Sequence, residues 1–255
     1  MASKFRQQSN KFTRNNLLYQ KNLIILYQLL KRVIDVLIAS TALILLSPII
    51  ILVIIVLKLT GEHEVFYRQK RMGYKNKPFY IWKFATMLKN SPNIGTGEIT
   101  LRNDPRVTRV GRFLRITKIN ELPQIVNVLK GNMSVVGPRP LLEVSFRLYP
   151  EEVRDIIYLN KPGITGIGSL IFRDEEKMLS EAQDPKAFYS TIYPYKGRLE
   201  MWYYDNVSLF TDFSIIFLTG WSLLFPETRL IYRIFRDLPG ARKESVATTL
   251  AKQVA

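Results

Sequence analysis

The chain has no cysteine and a single histidine in 255 residues. The first absence excludes disulfides, a thiolate metal site and a cysteine nucleophile. The second excludes a multi-histidine zinc site, and Ser-His-Asp chemistry anywhere but around His63. His63 lies between Glu62 and Glu64 with no motif around it, and reads as a solvated loop residue. Acids are also scarce: 21 against 37 lysines and arginines, a net charge of +16. Such an excess implies an anionic partner. Nucleic acid, anionic lipid and a nucleotide-linked substrate all qualify, so the placement of the charges must decide.

The first 22 residues carry Lys4, Arg6, Lys11, Arg14 and Lys21 and no acid. This is the composition of a flexible cationic tail near a membrane surface. Residues 36–57 then contain no charge at all, which is long enough for a membrane helix. No small-residue cleavage site follows, so a signal peptide is not expected. Ser47-Pro48 falls near the middle of this run. Proline removes one helical hydrogen bond, and serine can satisfy the carbonyl left free. A straight span would carry everything after Lys58 across the membrane. A helix bent at Ser47-Pro48 would enter and leave by one face, keeping both basic flanks cytoplasmic. The residues alone leave both readings open.

Residues 61–87 alternate as short strands around a basic turn, Lys70-Arg71-Met72-Gly73, and predict a β-hairpin or small sheet. A polar loop follows at 90–100. Residues 104–129 read as two helices, separated by the breakers Gly111 and Pro123. Residues 206–236 are strongly apolar and aromatic, interrupted by Asp212 and Pro226, which favours a pair of interfacial amphipathic helices over a second span. The expected fold is α+β and mainly helical. Its divisions are a basic tail at 1–22, the membrane helix region at 23–60, a surface domain at 61–205, interfacial helices at 206–239 and a flexible tail at 240–255.

Between residues 101 and 140 there are eight cations (Arg102, Arg106, Arg109, Arg112, Arg115, Lys118, Lys130 and Arg139) and two acids, Asp104 and Glu121. The arginine guanidinium donates two hydrogen bonds at a spacing that matches phosphate oxygens. A diphosphate substrate on an anionic membrane explains the excess better than a solvated face does. Glu121, set among these cations, is suited either to Mg²⁺ or to an ion pair with Lys118, three residues back. Pro138 and Pro140 stiffen the backbone around Arg139, fitting it to clamp an anion. In Lys161-Pro162-Gly163-Ile164-Thr165-Gly166 the glycines beside a lysine would let backbone amides approach a phosphate.

Six segments occur in a fixed order: KRVIDV with Ser47-Pro48, FYRQKRMG at 66–73, KPFYIWKFATM at 77–87, NDPRVTRVGRFLR at 103–115, TKINELPQIVNVLKGNMSVVGPRP at 117–140, and KPGITG at 161–166. Together they resemble the bacterial sugar transferases, the monotopic phosphoglycosyl transferases. The resemblance implies a re-entrant helix broken at Ser47-Pro48, at the cytoplasmic face of the bacterial inner membrane. It also implies a reaction in which a UDP-sugar donates sugar-1-phosphate to undecaprenyl phosphate with release of UMP, the first membrane step of surface polysaccharide assembly. Glu121 would hold Mg²⁺, while Arg139, Arg112, Arg115, Lys83 and Lys161 would bind substrate. Because the arginines interleave with these motifs rather than with stacked aromatics, nucleic acid is not the expected partner. The motifs do not name the sugar, or say whether the chain acts alone or as a homodimer.

Two departures stand out. Ala85 occupies a position where the family commonly has arginine, and Asn120 stands at the family's nucleophile position. An amide is a poor nucleophile. Four explanations stay open: Glu121 or Asp104 takes over; the acceptor phosphate attacks directly; the chain is an inactive form; or it is a non-catalytic partner that binds nucleotide sugar or polyprenol phosphate without turnover.

Overall fold

The computed structural model describes residues 2–91, 104–225 and 230–240, with side chains from residue 22 onward except at Lys186. Most of the expected loop at 90–100 and of the C-terminal tail at 240–255 lies outside the described residues. The chain opens with one helix, α1 (Ala2–Leu59), which continues through Pro48 in place of the break expected at Ser47-Pro48, and the basic segment 1–22 is continuous with it from Ala2 on. Its stretch Asn22–Leu59 is long and apolar enough to cross a membrane. Pro48 has no amide hydrogen for the carbonyl four residues back, that of Ile44. Ser47 Oγ donates to this same oxygen at 2.8 Å, as the local chemistry predicts.

Two faces of α1 differ. One is open, with Leu37, Ile44, Leu45, Leu52 and Leu59 all more than 60% exposed. The other is bound to the rest of the chain on both sides of Ser47-Pro48. Ahead of the proline, Arg32 donates to the carbonyls of Val128 and Leu129 at 2.6 and 2.9 Å. These are the last carbonyls of α3 (Gln124–Leu129), where a cation is favoured by the helix dipole. Asp35 is buried and accepts from Ser134 Oγ and the Val135 amide. Beyond the proline, Val53 and Leu57 join a core with Val65, Phe84 and Leu114.

The strands β1 (Phe66–Met72) and β2 (Pro78–Phe84) form the expected antiparallel hairpin, in register from Phe66 opposite Phe84 to Met72 opposite Pro78. Asn127 closes the free edge of β2: its Nδ2 donates to Tyr80 O and its Oδ1 accepts from the Trp82 amide, at 2.8 and 3.0 Å. A buried asparagine thus imitates a strand and fixes α3 against the hairpin. Segment 104–129 does hold two helices, α2 (Arg109–Ile116) and α3, with a short 3₁₀ turn between them at Ile119–Glu121. Gly111 lies inside α2 instead of ending it, because a Cβ there would stand 2.1 Å from Thr86 O.

The remaining elements are β3 (Ser134–Val136), α4 (Glu143–Phe146), α5 (Glu151–Ile157), β4 (Gly163–Thr165), α6 (Ile167–Ile171), α7 (Glu175–Glu181), α8 (Pro185–Asp205), α9 (Leu209–Leu224) and α10 (Leu230–Ile234). Strands β3 and β4 pair in parallel. The main core gathers around α8, with Ile192, Tyr193, Leu199 and Tyr203 almost inaccessible.

Asp212 does not interrupt the apolar C-terminal segment. It lies in the first turn of α9, buried, and accepts from Lys31 Nζ at 2.6 Å, Tyr27 OH at 2.8 Å and Tyr203 OH at 2.7 Å. The charge that seemed to break a helix ties α9 and α8 to α1. Breaking such a pair strands a charge, whereas replacing both partners with apolar groups is nearly neutral. Asp212→Ala is therefore expected to lose about 3 kcal/mol of stability in detergent denaturation. Lys31→Met combined with Asp212→Leu should recover most of that loss.

Candidate active site

Three segments distant in sequence bring Lys83, Glu121 and Arg139 together. Lys83 lies two residues after the buried Ile81 on β2, so both side chains leave the same face of the hairpin. Glu121 ends the 3₁₀ turn after α2, which begins only because Lys118 adopts a left-handed conformation, φ 59°. That backbone state costs a non-glycine residue about 1 kcal/mol. Arg139 follows β3 between its two prolines. Glu121 Oε1 accepts from Lys83 Nζ at 2.7 Å and from Arg139 Nη2 at 3.2 Å. The Lys83 and Glu121 side chains are each 16% exposed, and that of Arg139 44%. The ion pair with Lys118, three residues back, does not form.

Burial opposes ionisation of Glu121, but the charges of Lys83, Arg139 and Lys118 outweigh it and hold the carboxyl well below its ordinary range. Lys83 is lowered to about 8, by burial above all and by the charges of Arg139 and Arg71, against the upward pull of Glu121. Arg71 is a site residue that sequence reasoning placed only in a basic turn. It donates to Pro140 O at 3.3 Å and to Gln69 Oε1, and it feels the charges of Arg139 and Glu121. The signal for it was the alternation of β1, which sends Gln69 and Arg71 to one face.

The loop carrying Arg139 is fixed by backbone. The Gly137 amide donates to Thr165 O and the Gly163 amide to Pro138 O, both at 2.9 Å. A Cβ on Gly137 would lie 2.2 Å from Lys161 O. The glycines of KPGITG therefore serve close packing of two loops, and the Gly163 amide, expected to be free for phosphate, is engaged. Tyr158 OH donates to Arg139 O at 2.8 Å and accepts from the Leu141 amide at 2.9 Å.

Behind this loop lies Glu200 on α8, 5% exposed, with Oε2 buried and without a partner. Its Oε1 occupies space open only because residue 168 is glycine; a Cβ there would come within 2.5 Å. Burial raises Glu200 to about 7 against the pull of Lys196 and the Arg139 amide. Lys196 itself donates to Glu175 at 2.5 Å inside a cage of Phe172, Tyr189 and Tyr193 rings.

The other expected residues lie elsewhere or are engaged. Asp104 is 3% exposed and held by Arg106, with Nε and Nη2 reaching its two oxygens at 2.9 and 2.6 Å. Arg115 pairs with Glu176, and Arg112 is exposed on α2. Lys161 is half-buried and turns towards α1, where its Nζ and Arg32 Nη2 flank Gly131. Asn120 is adjacent to the cluster in sequence and is buried, and its Oδ1 has no hydrogen-bond partner.

The bacterial sugar transferase family profile matches residues 26–226, and the chain belongs to that family. It is 36% identical over 195 residues to the UDP-glucose:undecaprenyl-phosphate glucose-1-phosphate transferase of Escherichia coli (strain K12), covering 75% of this chain and 39% of that protein. The exopolysaccharide production protein ExoY of Rhizobium meliloti (strain 1021) is 34% identical over 74% of the chain and 83% of its own length. The uncharacterized sugar transferase EpsL of Bacillus subtilis (strain 168) is 37% identical over 78% and 89%. The chain thus spans about two fifths of the Escherichia coli relative and most of the other two.

Glu200 generates a pH-dependent prediction. Its folded-state value of about 7 exceeds the ordinary 4.5, so the folded protein holds a proton that the unfolded chain releases. Stability from this group is full below pH 4.5 and is lost as pH rises towards 7. Glu200→Gln stays neutral throughout. Its advantage over the parent should grow by up to about 3 kcal/mol between pH 4.5 and 7.5, read from unfolding curves at each pH.

Proposed function

We propose that this chain transfers sugar-1-phosphate from a UDP-sugar to undecaprenyl phosphate, an early step of surface polysaccharide assembly. The observation that carries this reading is the convergence of Lys83, Arg71 and Arg139 around a single carboxylate, in a chain of this family. Phosphoryl transfer asks little covalent chemistry of the protein and depends on positioning and charge. The Arg139 fork is free to engage diphosphate oxygens, since only Nη2 is bound to Glu121 and nearly half the side chain is exposed. Lys83, less exposed, supplies a fixed positive charge beside it.

Mg²⁺ is the cofactor this reading carries. Among the described residues no group of three or more acidic, histidine or cysteine side chains could cage a metal. Mg²⁺ instead takes one or two protein oxygens together with substrate phosphates. Glu121 and the unpartnered Asn120 Oδ1 fit that donor set and would hold it. Once bound, the ion would neutralise charge on the diphosphate.

The membrane arrangement follows from α1. Its segments before and after Ser47-Pro48 both pack on the same domain, through Arg32 and Asp35 on one side and Val53 and Leu57 on the other. This supports a re-entrant helix with the domain at the cytoplasmic face of the inner membrane. Exposed Phe210, Phe213, Phe217 and Leu224, at helical spacing along α9, support an interfacial seat for that element, where anionic lipid would meet the basic surface. A non-catalytic partner that binds the same ligands is the second reading, favoured by Asn120.

Purified full-length protein in nanodiscs should release UMP and form a lipid-linked sugar from undecaprenyl phosphate, Mg²⁺ and at least one UDP-sugar. Saturable UDP-sugar binding without product from any donor would instead establish the binding partner. Given activity, Arg139→Ala is expected to lower kcat/KM about 100-fold. Arg139→Lys should restore little, because a point charge cannot reproduce the fork.

A further inference from the structure

We infer that the sugar phosphate moves in a single displacement, the acceptor lipid's phosphate attacking the donor phosphorus directly, with no phosphosugar–protein intermediate. This deepens the transferase reading and rests on it. A covalent route needs a side-chain nucleophile free to reach phosphorus, and no described group around Arg139 meets that requirement. Position 120 holds an amide, whose nitrogen and oxygen are both poor nucleophiles. Asp104 is buried and occupied by Arg106. Glu121 holds Lys83 and Arg139. Were it to attack, its electron pair would enter the new bond to phosphorus, its charge would leave with UMP, and the buried Lys83 ammonium would lose its carboxylate partner.

The groups behind the Arg139 loop are no better placed. Glu175 is committed to Lys196 in its aromatic cage, and Glu200 is enclosed against Gly168. Lys83 donates to Glu121 as an ammonium and has no lone pair to offer. Tyr158 OH is fixed between Arg139 O and the Leu141 amide, and Tyr189 OH is bonded to Ser145 and Tyr193. What the site does provide is cationic: Lys83, Arg71 and Arg139 can hold two anionic reactants side by side.

The step balances without a protein nucleophile. An oxygen of the polyprenol phosphate forms a bond to the sugar-bearing phosphorus of the UDP-sugar. The bond from that phosphorus to the bridging oxygen breaks, and UMP leaves with the bridging oxygen and its electron pair. Two dianions give a lipid diphosphosugar dianion and a UMP dianion, so no proton needs a carrier. Asn120 fits this course as a neutral oxygen ligand for a metal ion, adding no negative charge to repel the incoming lipid phosphate.

The test uses the UDP-sugar that supports the full reaction, with intact protein in nanodiscs. Radiolabelled UMP is offered with that donor, with and without undecaprenyl phosphate, and the protein is weighed by intact mass spectrometry after donor alone. The expected result is no exchange of UMP into donor without acceptor, no added phosphosugar mass, and intersecting initial-velocity lines. Acceptor-independent exchange, an adduct or parallel lines would overturn the inference while leaving the transferase reading standing. Loss of the adduct in Glu121→Gln would then locate the nucleophile. If no product forms even in the full reaction, the transferase reading falls and this inference falls with it.

Discussion

One carboxylate oxygen, Glu121 Oε1, binds two cations that would otherwise repel each other at the edge of the protein interior. Lys83 comes from a strand and Arg139 from the loop after another, and Arg71 adds a third charge to the same region. Glu121 both attracts them and fixes their directions. The hairpin, the 3₁₀ turn and the proline-bracketed loop meet at this atom. Without it, the three segments would bring like charges together in a poorly solvated space. The geometry suits an anion for the same reason, since a phosphate can take up the hydrogen bonds that Glu121 leaves available.

Around this centre the protein uses backbone more than side chains. The Gly137 and Gly163 amides are spent on joining two loops, and Asn127 stands in for a missing strand. Such contacts leave little rotamer freedom to be lost when substrate binds, which favours a preorganised site. Glu200 is the exception. Its unpartnered oxygen lies directly behind the loop carrying Arg139, a buried polar group whose proton is held or released near neutral pH.

Much of this was legible in the sequence where the determinants are local. The hairpin followed from alternation, the start of the second helix at 104–129 from Pro123, and the role of Ser47 from the carbonyl that Pro48 leaves free. Glu121 and Arg139 could be named because they stand in dense motifs. What could not be read were pairings across long separations. Lys31 and Asp212 lie 181 residues apart, so Asp212 looked like an interruption and not an anchor. Asp104 looked available because its partner, Arg106, was counted among phosphate-binding cations. The glycines of KPGITG suggested a phosphate cradle because spacing alone cannot separate amides aimed at a ligand from amides aimed at another loop.

The packing of α1 also governs how the protein is made. Ala39 belongs to the core that holds Ile81, Ile125, Val128 and Met133, and Val53 and Leu57 to the core around Phe84 and Leu114. Among the described residues, two of the three hydrophobic cores are therefore completed by α1, which is synthesised before the segments that pack on it. The hairpin and α3 are made after it. The later segments must fold against a surface already present, so α1 acts as a template for the domain built on it.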